Sequence, residues 1–287
     1  MKKRLLISFS GGRTSGFMLW WLLNKWEDRH LYDIVVVFAN TGKEVEGTLF
    51  FVDEIAQEFG INIVWVEAIP SEIGKGWSVK HKVVTYETAS RNGEPFEAMI
   101  ARLGIPSTNA PFCSDQLKKK SIESYLKSIG WANGTYEIAI GIRADEPKRY
   151  QTKKGKRKVK KNRLLVLVDL FPVDKPWVLN WWKQQSFDLD IHEDEGNCDN
   201  CWKKDMPRLY RNAVRKRKSF FWWAVMEKEY GHLNPRNSEL KPPFHFNRGN
   251  VPIVEIMRLA TTTAQEDIKL KSLHEEKYAC GESCEAF

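Results

Sequence analysis

The chain has 287 residues, of which 42% are hydrophobic and 29% charged, and its formal net charge is +8. This composition excludes a disordered or fibrous chain and predicts a globular protein with a sizeable core. No apolar run is long enough to cross a bilayer, and Leu5–Ile7 is too short for the core of a signal peptide. We therefore expect a cytoplasmic protein that has no membrane partner.

Apolar runs alternate with amphipathic segments along the chain. Leu5–Phe9 predicts a first buried strand, and residues 15–26 predict the helix that follows it. Residues 79–86 are either an edge strand or a loop over the site. Further strands are predicted at 33–39, 61–66, 137–142 and 164–170, and further helices at 44–59, 95–103, 114–128, 176–185 and 206–230.

This alternation predicts an α/β fold with a doubly wound, mostly parallel five-stranded sheet and helices on both faces. The continuous apolar strands agree with it, because a parallel sheet is buried on both sides. We predict an α/β nucleotide-binding domain at residues 1–172. A C-terminal helical extension that contains cysteines is predicted at residues 173–287.

A stretch of mainly small residues, Ser8–Gly16, joins the first strand to the first helix. Gly11 and Gly12 let the backbone approach a ligand closely. Backbone N–H groups in such a loop and the positive end of the helix dipole together bind phosphate. The loop is neither a Walker A motif nor Gly-x-Gly-x-x-Gly, and a tight structural turn is the alternative. Three hydroxyls and one cation come from Ser10, Thr14, Ser15 and Arg13.

Four polar segments follow buried strands or precede a helix. Ligands of open α/β sheets bind at the carboxyl ends of the strands, so we expect these segments to meet at one edge. They are the loop at 10–15, Asn40-Thr41-Gly42, Cys113 ahead of its helix, and the segment 141–149, which reads Gly-Ile-Arg-Ala-Asp-Glu-Pro-Lys-Arg.

Residues 148–163 carry the whole basic excess of the chain. They include ten Lys or Arg and no acid, and the remaining residues hold 35 basic and 37 acidic side chains. Such a run is either a solvated, mobile loop or a surface that binds nucleic acid phosphates. Both interpretations stay open from the sequence.

These motifs resemble the adenine-nucleotide α-hydrolase superfamily, the PP-loop ATP pyrophosphatases of the HUP type. They look closest to the phosphoadenosine phosphosulfate (PAPS) reductase-like branch, which includes members carried by phages. Residues 10–15 match its Ser-Gly-Gly-x-x-Ser loop. Residues 40–42 stand at its second-strand nucleotide motif, and residues 141–146 with Arg149 are similar to its Gly-x-Arg-x-Asp-Glu segment.

The resemblance implies that ATP, or PAPS or adenosine phosphosulfate, lies across the carboxyl edge of the sheet. An acceptor would be adenylated with release of pyrophosphate. The nucleotide would be held by Ser8, Ser10, Gly11, Gly12, Arg13, Thr14, Ser15, Asn40, Thr41, Gly42, Gly141, Arg143 and Arg149.

The loop departs from classical PP-loop pyrophosphatases, which carry Asp where this chain has Thr14. Asp145 and Glu146 are therefore the better candidates for Mg²⁺, although they could also form a solvated pair opposite arginines. Within the site we assign catalytic roles to Cys113, Arg143 and Asp145.

Five cysteines, an odd number in a chain without a secretion signal, favour metal or redox chemistry over disulfides. They are Cys113, Cys198, Cys201, Cys280 and Cys284. Two thiolates spaced as Cys-x-x-Cys can share one metal or one cluster.

Three arrangements of these cysteines remain open. The first is a [4Fe–4S] cluster at the nucleotide site, held by Cys113, Cys198, Cys201 and a C-terminal cysteine, as in sulfur-inserting relatives. The second is a structural Zn²⁺ site held by Cys198, Cys201, Cys280 and Cys284, with Cys113 outside the site. In the third, Cys280 or Cys284 is a mobile nucleophile, as in PAPS reductases.

The leading hypothesis is an ATP-dependent enzyme that activates an acceptor, either a nucleic acid base or its backbone, and transfers sulfur to it, with a sulfur donor protein as a further partner. The second is a PAPS or adenosine phosphosulfate reductase. The third is a nucleotide- or nucleic-acid-binding protein without turnover.

Overall fold

A computed structural model describes residues 2–72, 74–107, 110–235, 241–247 and 249–262. Cys280 and Cys284 lie outside these residues, and so do the arrangements that need them. Among the described residues, no helix combines the length and the apolar character that crossing a bilayer requires.

The fold is α/β, with one sheet whose order is β4-β3-β2-β1-β5-β6. All neighbouring strands pair in parallel except β3 and β4, which are antiparallel. The predicted α/β class and mostly parallel sheet are thus confirmed. The strands are β1 Lys3–Phe9, β2 Tyr32–Asn40, β3 Ile63–Pro70, β4 Val79–Val84, β5 Glu137–Ile140 and β6 Leu164–Val166.

The predicted number of five strands is wrong, because Val79–Val84 forms a sixth. Its polar, half-exposed sequence suits an edge strand, and it pairs with β3 from Trp65↔Val84 to Pro70↔Val79. The strand predicted at 164–170 is also too long. β6 ends at Val166, and Leu167–Leu170 forms a single helical turn.

The helices cover both faces and extend past the sheet. They are α1 Arg13–Asn24, α2 Glu46–Glu58, α3 Glu94–Leu103, α4 Lys120–Ser128, α5 Pro147–Tyr150, α6 Lys153–Asn162, α7 Leu167–Leu170, α8 Lys175–Trp182, α9 Met206–Arg215, α10 Ser219–Tyr230 and α11 Ile253–Thr262. A short 3₁₀ helix precedes β2, and a π-helix, Cys113–Lys119, runs directly into α4.

The structure corrects two expectations, one about a predicted helix and one about the basic segment at residues 148–163. The long helix predicted at 206–230 is two helices, because the chain turns at residues 216–218 inside the run Arg215-Lys216-Arg217-Lys218. The basic segment is not an irregular loop: most of it is helix α6, whose first turn is capped by Thr152 through a bond from Gly155 N.

Alternate side chains of the central strand, β1, are buried in two different hydrophobic cores. Leu5 and Ile7 pack with α1, α2 and α8 on one face, whereas Leu6 packs with α4 on the other. A third core joins α3 to α9, α10 and α11. Val178 and Trp182, which follow the predicted domain boundary at 172, are buried in the same core as β1. The division at that boundary stays a prediction.

Candidate functional site

The loop between β1 and α1 lies where the strand order reverses, since β1 has β2 on one side and β5 on the other. Gly11 has a φ of +77°, and a Cβ there would lie 2.8 Å from Cγ2 of Thr48. Only glycine fits this turn without strain or displacement. The N-cap residue of α1 is Gly12, which has no side chain to cap the first turn. The N–H groups at this end are thus suited to an anion.

Hydroxyl groups fix the shape of the loop. Ser15 Oγ lies 2.8 Å from Ser10 Oγ and donates to the carbonyl oxygen of Gly12 at 2.9 Å. Ser8, Ser10, Thr14 and Ser15 are all buried. In the structure, the two inner serines bind to the loop itself rather than facing solvent.

Arg143 reaches this loop from the end of β5. Its Nη1 donates to Thr14 Oγ1 at 3.1 Å, and its Nε and Nη2 bind the two oxygens of Asp145 at 2.8 and 3.1 Å. Burial raises the pKa of Asp145, but the hydrogen bond and charge of Arg143 outweigh it and leave that pKa below its usual value. A fixed guanidinium is therefore positioned beside the loop at residues 10–15.

The second carboxylate of the segment is also held by arginine. Glu146 Oε1 accepts from Arg149 Nη1 at 2.9 Å, and its Oε2 accepts from the backbone N–H of Arg143 at 3.1 Å. Asp145 and Glu146 thus face arginines in this structure. Their assignment to Mg²⁺ stays a prediction.

The Arg13 side chain binds the segment that follows α8. Its Nε binds Asp188 Oδ1 at 2.7 Å and its Nη2 donates to the carbonyl oxygen of Leu189 at 2.6 Å. Trp182 Nε1 donates to the Arg13 carbonyl at 2.8 Å. These contacts attach the segment after α8 to the start of α1.

The polar side chains of the segment after β2 form hydrogen bonds with neighbouring groups of the protein. Asn40 Nδ2 donates to Glu67 Oε1 at 2.7 Å and to the Ser90 carbonyl at 2.9 Å, and its Oδ1 accepts from Gly42 N at 3.0 Å. Thr41 donates through its N and Oγ1 to Glu44 Oε2, both at 2.8 Å. The amide of Asn40 shapes the turn, and its predicted nucleoside contact remains untested.

Glu44 and Lys118 form a buried ion pair that sequence reasoning missed. Oε1 of Glu44 lies 3.3 Å from Lys118 Nζ, and the two side chains are 0% and 5% exposed. Charged side chains are rarely buried unless they are paired. The available signal was Glu44 two residues after the Asn40-Thr41-Gly42 turn, and Lys118 five residues after Cys113.

The Cys198 segment lies against both polar turns. Val45 N donates to the Asn197 carbonyl and Asp199 N to the Lys43 carbonyl, each at 2.8 Å, so Glu44 and Cys198 form an antiparallel bridge. Cys198 Sγ lies 3.6 Å from Glu44 Oε1. Asn197 Nδ2 donates to the carbonyl oxygen of Ser10, in the loop between β1 and α1. The structure therefore brings Cys198 beside the loop.

Lysines hold this segment in place. Lys204, which is 3% exposed, donates from Nζ to the carbonyls of Cys198 and Asp199, both at 2.9 Å. Burial raises the pKa of Asp199, whereas the charges of Lys43 and Lys204 oppose that rise. Lys43 and Lys204 thus lie beside the Cys-x-x-Cys motif, together with the carboxyl groups of Glu44 and Asp199.

The other two cysteines among the described residues are Cys113 and Cys201. Cys113 opens the π-helix that carries Lys118, and Cys113 and Cys201 are both partly buried. Within the described ranges, no group of three or more His, Cys, Asp or Glu side chains is gathered for a metal. These residues alone do not form a complete cluster or zinc site.

The fold and this edge define an α/β protein of Rossmann-like topology whose polar motifs gather at the carboxyl ends of the central strands. The chain belongs to the same family as the uncharacterized nin region protein ORF290 of Escherichia phage lambda. The two are 36% identical over 207 residues, which cover 71% of this chain and 67% of the phage protein.

Other similarities are weaker. The uncharacterized protein MJ0066 of Methanocaldococcus jannaschii is 26% identical over 154 residues, which are 54% of this chain and 26% of that protein. No family model matches the chain. The U34-tRNA thiolase NcsA of Methanococcus maripaludis, solved with its [4Fe–4S] cluster, aligns over 82% of this chain and 75% of that one at 13% identity and a TM-score of 0.38. That likeness is too low to assign a function.

Proposed function

We propose that the loop at residues 10–15 binds the phosphates of ATP, and that the protein uses it to adenylate an acceptor and then deliver sulfur to it. The loop geometry supports the first part of this proposal, the binding of ATP phosphates. Gly11 and Gly12 leave room for phosphate, the start of α1 has no side-chain cap, and Arg143 lies alongside through Thr14. The resemblance to PP-loop pyrophosphatases supports the same role.

The bond from Asn197 to the Ser10 carbonyl carries the second half of the proposal. It holds Cys198, the next residue, at the edge where the nucleotide would lie. A phosphate loop that only bound a nucleotide would not need a Cys-x-x-Cys segment attached to it. A site that joins activation to sulfur delivery does need that proximity.

The reaction has two steps. An oxygen of the acceptor attacks the α-phosphorus of ATP, and the bond to the β-phosphate oxygen breaks to release pyrophosphate. Hydrosulfide supplied by a donor then attacks the activated atom, and AMP leaves with the acceptor's former oxygen. The N–H groups of the loop and the guanidinium of Arg143 would stabilise the charge that grows on the phosphates.

The described cysteines do not complete a metal site, so no step is assigned to a cluster. The earlier expectation of [4Fe–4S] or Zn²⁺ is checked by metal content after anaerobic purification. Iron with acid-labile sulfide would assign a cluster that includes cysteines beyond the described residues, and zinc would assign a structural site. Neither result alters the role proposed for the loop.

The test incubates anaerobically purified protein with Mg²⁺, ATP labelled at the α-phosphate, sulfide and single-stranded RNA or DNA. We expect AMP, pyrophosphate and a thiolated product. Arg143→Ala should reduce AMP formation by about 10²-fold, the order seen when one transition-state donor is removed. Cys198→Ser should retain AMP formation and reduce the yield of thiolated product, because Cys198 lies at the edge where the attacking hydrosulfide would be positioned. The exposed Ser128→Ala serves as the matched control.

Two results would overturn the proposal. Tight ATP binding without AMP formation would make the protein a nucleotide-binding protein. Sulfite formation from PAPS, without pyrophosphate release from ATP, would make it a reductase.

A further inference from the structure

Helix α6 is built almost entirely of cations. Seven of its ten residues, Lys153–Asn162, are Lys or Arg, and all seven side chains are exposed. Val159 is only partly buried, and Gly155 is the one buried residue of the helix. The helix therefore presents a dense positive surface instead of an apolar face.

That surface is unfavourable for the isolated helix. Like charges four residues apart, such as Lys153 with Arg157 and Lys156 with Lys160, oppose helix formation by about 0.2–0.5 kcal/mol for each pair. Lysines in the last turn suit the helix dipole, but Lys153 and Lys154 in the first turn oppose it. A polyanion bound along the helix would remove this repulsion.

A cavity of about 220 Å³ lies beneath the helix, at the ends of β5 and β6. Its floor is aliphatic and its rim is cationic. The lining comes from Ile140, Ile142, Val159 and Leu164 on the apolar side, and from Lys148, Arg149, Thr152, Lys154, Gly155 and Lys158 on the polar side. This volume is below the roughly 300–1,000 Å³ of pockets for drug-sized ligands, so it suits one base or sugar.

We propose that α6 and this cavity form a binding surface for single-stranded nucleic acid. The outward cations, Lys156, Arg157 and Lys160 among them, pair with successive phosphates. One unstacked nucleotide enters the cavity, with its base on the aliphatic floor and its phosphate at the cationic rim. The role of this strand as acceptor depends on the proposed function, whereas the binding itself does not.

The cavity is coupled to the phosphate loop through one short segment. Arg143, which binds Thr14, is only five residues before Lys148 in the cavity lining. Five residues span at most about 18 Å, so a strand held at α6 stays close to the loop. This placement fits an acceptor whose reactive unit must reach the nucleotide.

The composition of the helix favours nucleic acid over a membrane surface. Helices that lie on membranes insert a face of large apolar residues among the lipid head groups. The sole large apolar residue of α6 is Val159, and it lines the cavity beneath the helix. A helix of this kind can pair with phosphates but has no apolar face for lipid.

The first experiment measures binding of the full chain to a labelled 20-nucleotide single strand, without ATP, at 50–200 mM salt. The triple variant K156E/R157E/K160E should bind at least about tenfold more weakly, and its salt slope should fall by about 2–3. The control triple K127E/K183E/K228E makes the same change in net charge at exposed sites elsewhere. Equal losses in the two triples would overturn the proposal.

The second experiment tests the cavity with a strand that contains 2-aminopurine, whose fluorescence rises when the base unstacks. Binding should raise it several-fold, and Val159→Phe, which fills the cavity, should abolish the rise while the salt slope stays unchanged. An unchanged signal with the wild type would exclude a nucleotide in the cavity. Competition by phosphatidylserine vesicles, but not by unlabelled strand, would assign the surface to membranes instead.

A third measurement separates this inference from the proposed function. Arg143→Ala should bind the strand as tightly as the wild type even though AMP formation falls. If the wild type releases pyrophosphate from ATP but the K156E/R157E/K160E triple binds the strand as tightly as the control triple, the surface is assigned wrongly and the loop correctly.

Discussion

The ammonium group of Lys118 lies 3.3 Å from Oε1 of Glu44, and neither side chain is more than 5% exposed. The pair connects the turn after β2 to the π-helix that begins at Cys113. The other oxygen of Glu44 holds Thr41, and Cys198 Sγ approaches the first. Three parts of the candidate site therefore depend on one carboxylate.

We expect Lys118→Met to destabilise the protein by about 3–5 kcal/mol, because it leaves the Glu44 carboxylate buried without its cation. Lys118→Met combined with Glu44→Gln should recover part of the loss. Urea unfolding measures both, with Lys75→Met at the exposed Lys75–Glu72 pair as the control, which should keep the wild-type midpoint. Equal midpoints for all three variants would contradict this account.

Gly11→Ala should cost more stability than Gly60→Ala. Both glycines have positive φ, +77° and +61°, so both substitutions force alanine into the left-handed region at about 1–2 kcal/mol. A Cβ at Gly11 also meets Thr48, whereas nothing lies within 4 Å of one at Gly60. Thermal unfolding compares the two, and ATP binding should be lost in Gly11→Ala alone. Equal losses of stability would mean that the loop accommodates the extra methyl group.

Arg143→Lys should weaken ATP binding by about tenfold although the charge is kept. A lysine ammonium cannot present the guanidinium's fork to Asp145 while also reaching Thr14. Equilibrium dialysis with ATP measures the change, and Arg29→Lys, at an exposed position, should have no effect. Unchanged affinity in Arg143→Lys would place the nucleotide elsewhere.

Acid should weaken the fold partly through Asp194. Burial raises the pKa of this carboxyl, but the hydrogen bond and charge of Arg211 outweigh it, so its pKa in the folded protein is lowered. Such a group stabilises the fold above its unfolded pKa and loses that contribution as the pH falls towards the folded value. The free energy of unfolding should therefore decrease below about pH 4.

The variant Asp194→Asn isolates this contribution. At pH 7 it should lose about 1.5–3 kcal/mol, the range for hydrogen bonds to charged groups, and the difference from the wild type should shrink in acid. Urea unfolding between pH 3 and pH 7 follows both proteins. The exposed Asp28→Asn should keep the wild-type acid dependence, and a constant gap between Asp194→Asn and the wild type would refute the assignment.

Much of the sheet could be predicted from the sequence, because β1, β2 and β3 are continuous apolar runs bounded by polar turns. β4 could not be settled, since an edge strand has one partner and a polar face, and its sequence resembles a loop. The predicted length of β6 is too great for a related reason: residues 164–170 are apolar except for Asp169, and periodicity does not show where a buried strand becomes a helical turn.

The site shows the same limit. The glycines of the loop and Arg143 could be predicted from the sequence, because each belongs to a motif of a few consecutive residues. Glu44 with Lys118, and Ser10 with Asn197, are pairs made by the tertiary fold. No local pattern marks which of many lysines or asparagines will reach a buried partner. The contacts that the sequence did not predict are therefore those between residues far apart in the chain.

The bond between Asn197 and Ser10 joins residues 187 positions apart. Contacts this distant in sequence form only after a large loop has closed, which slows folding. During synthesis, β1 and the first helix leave the ribosome long before the residue that completes their loop. The growing chain therefore carries an incomplete loop after β1, and that loop is completed only when residue 197 has docked onto it.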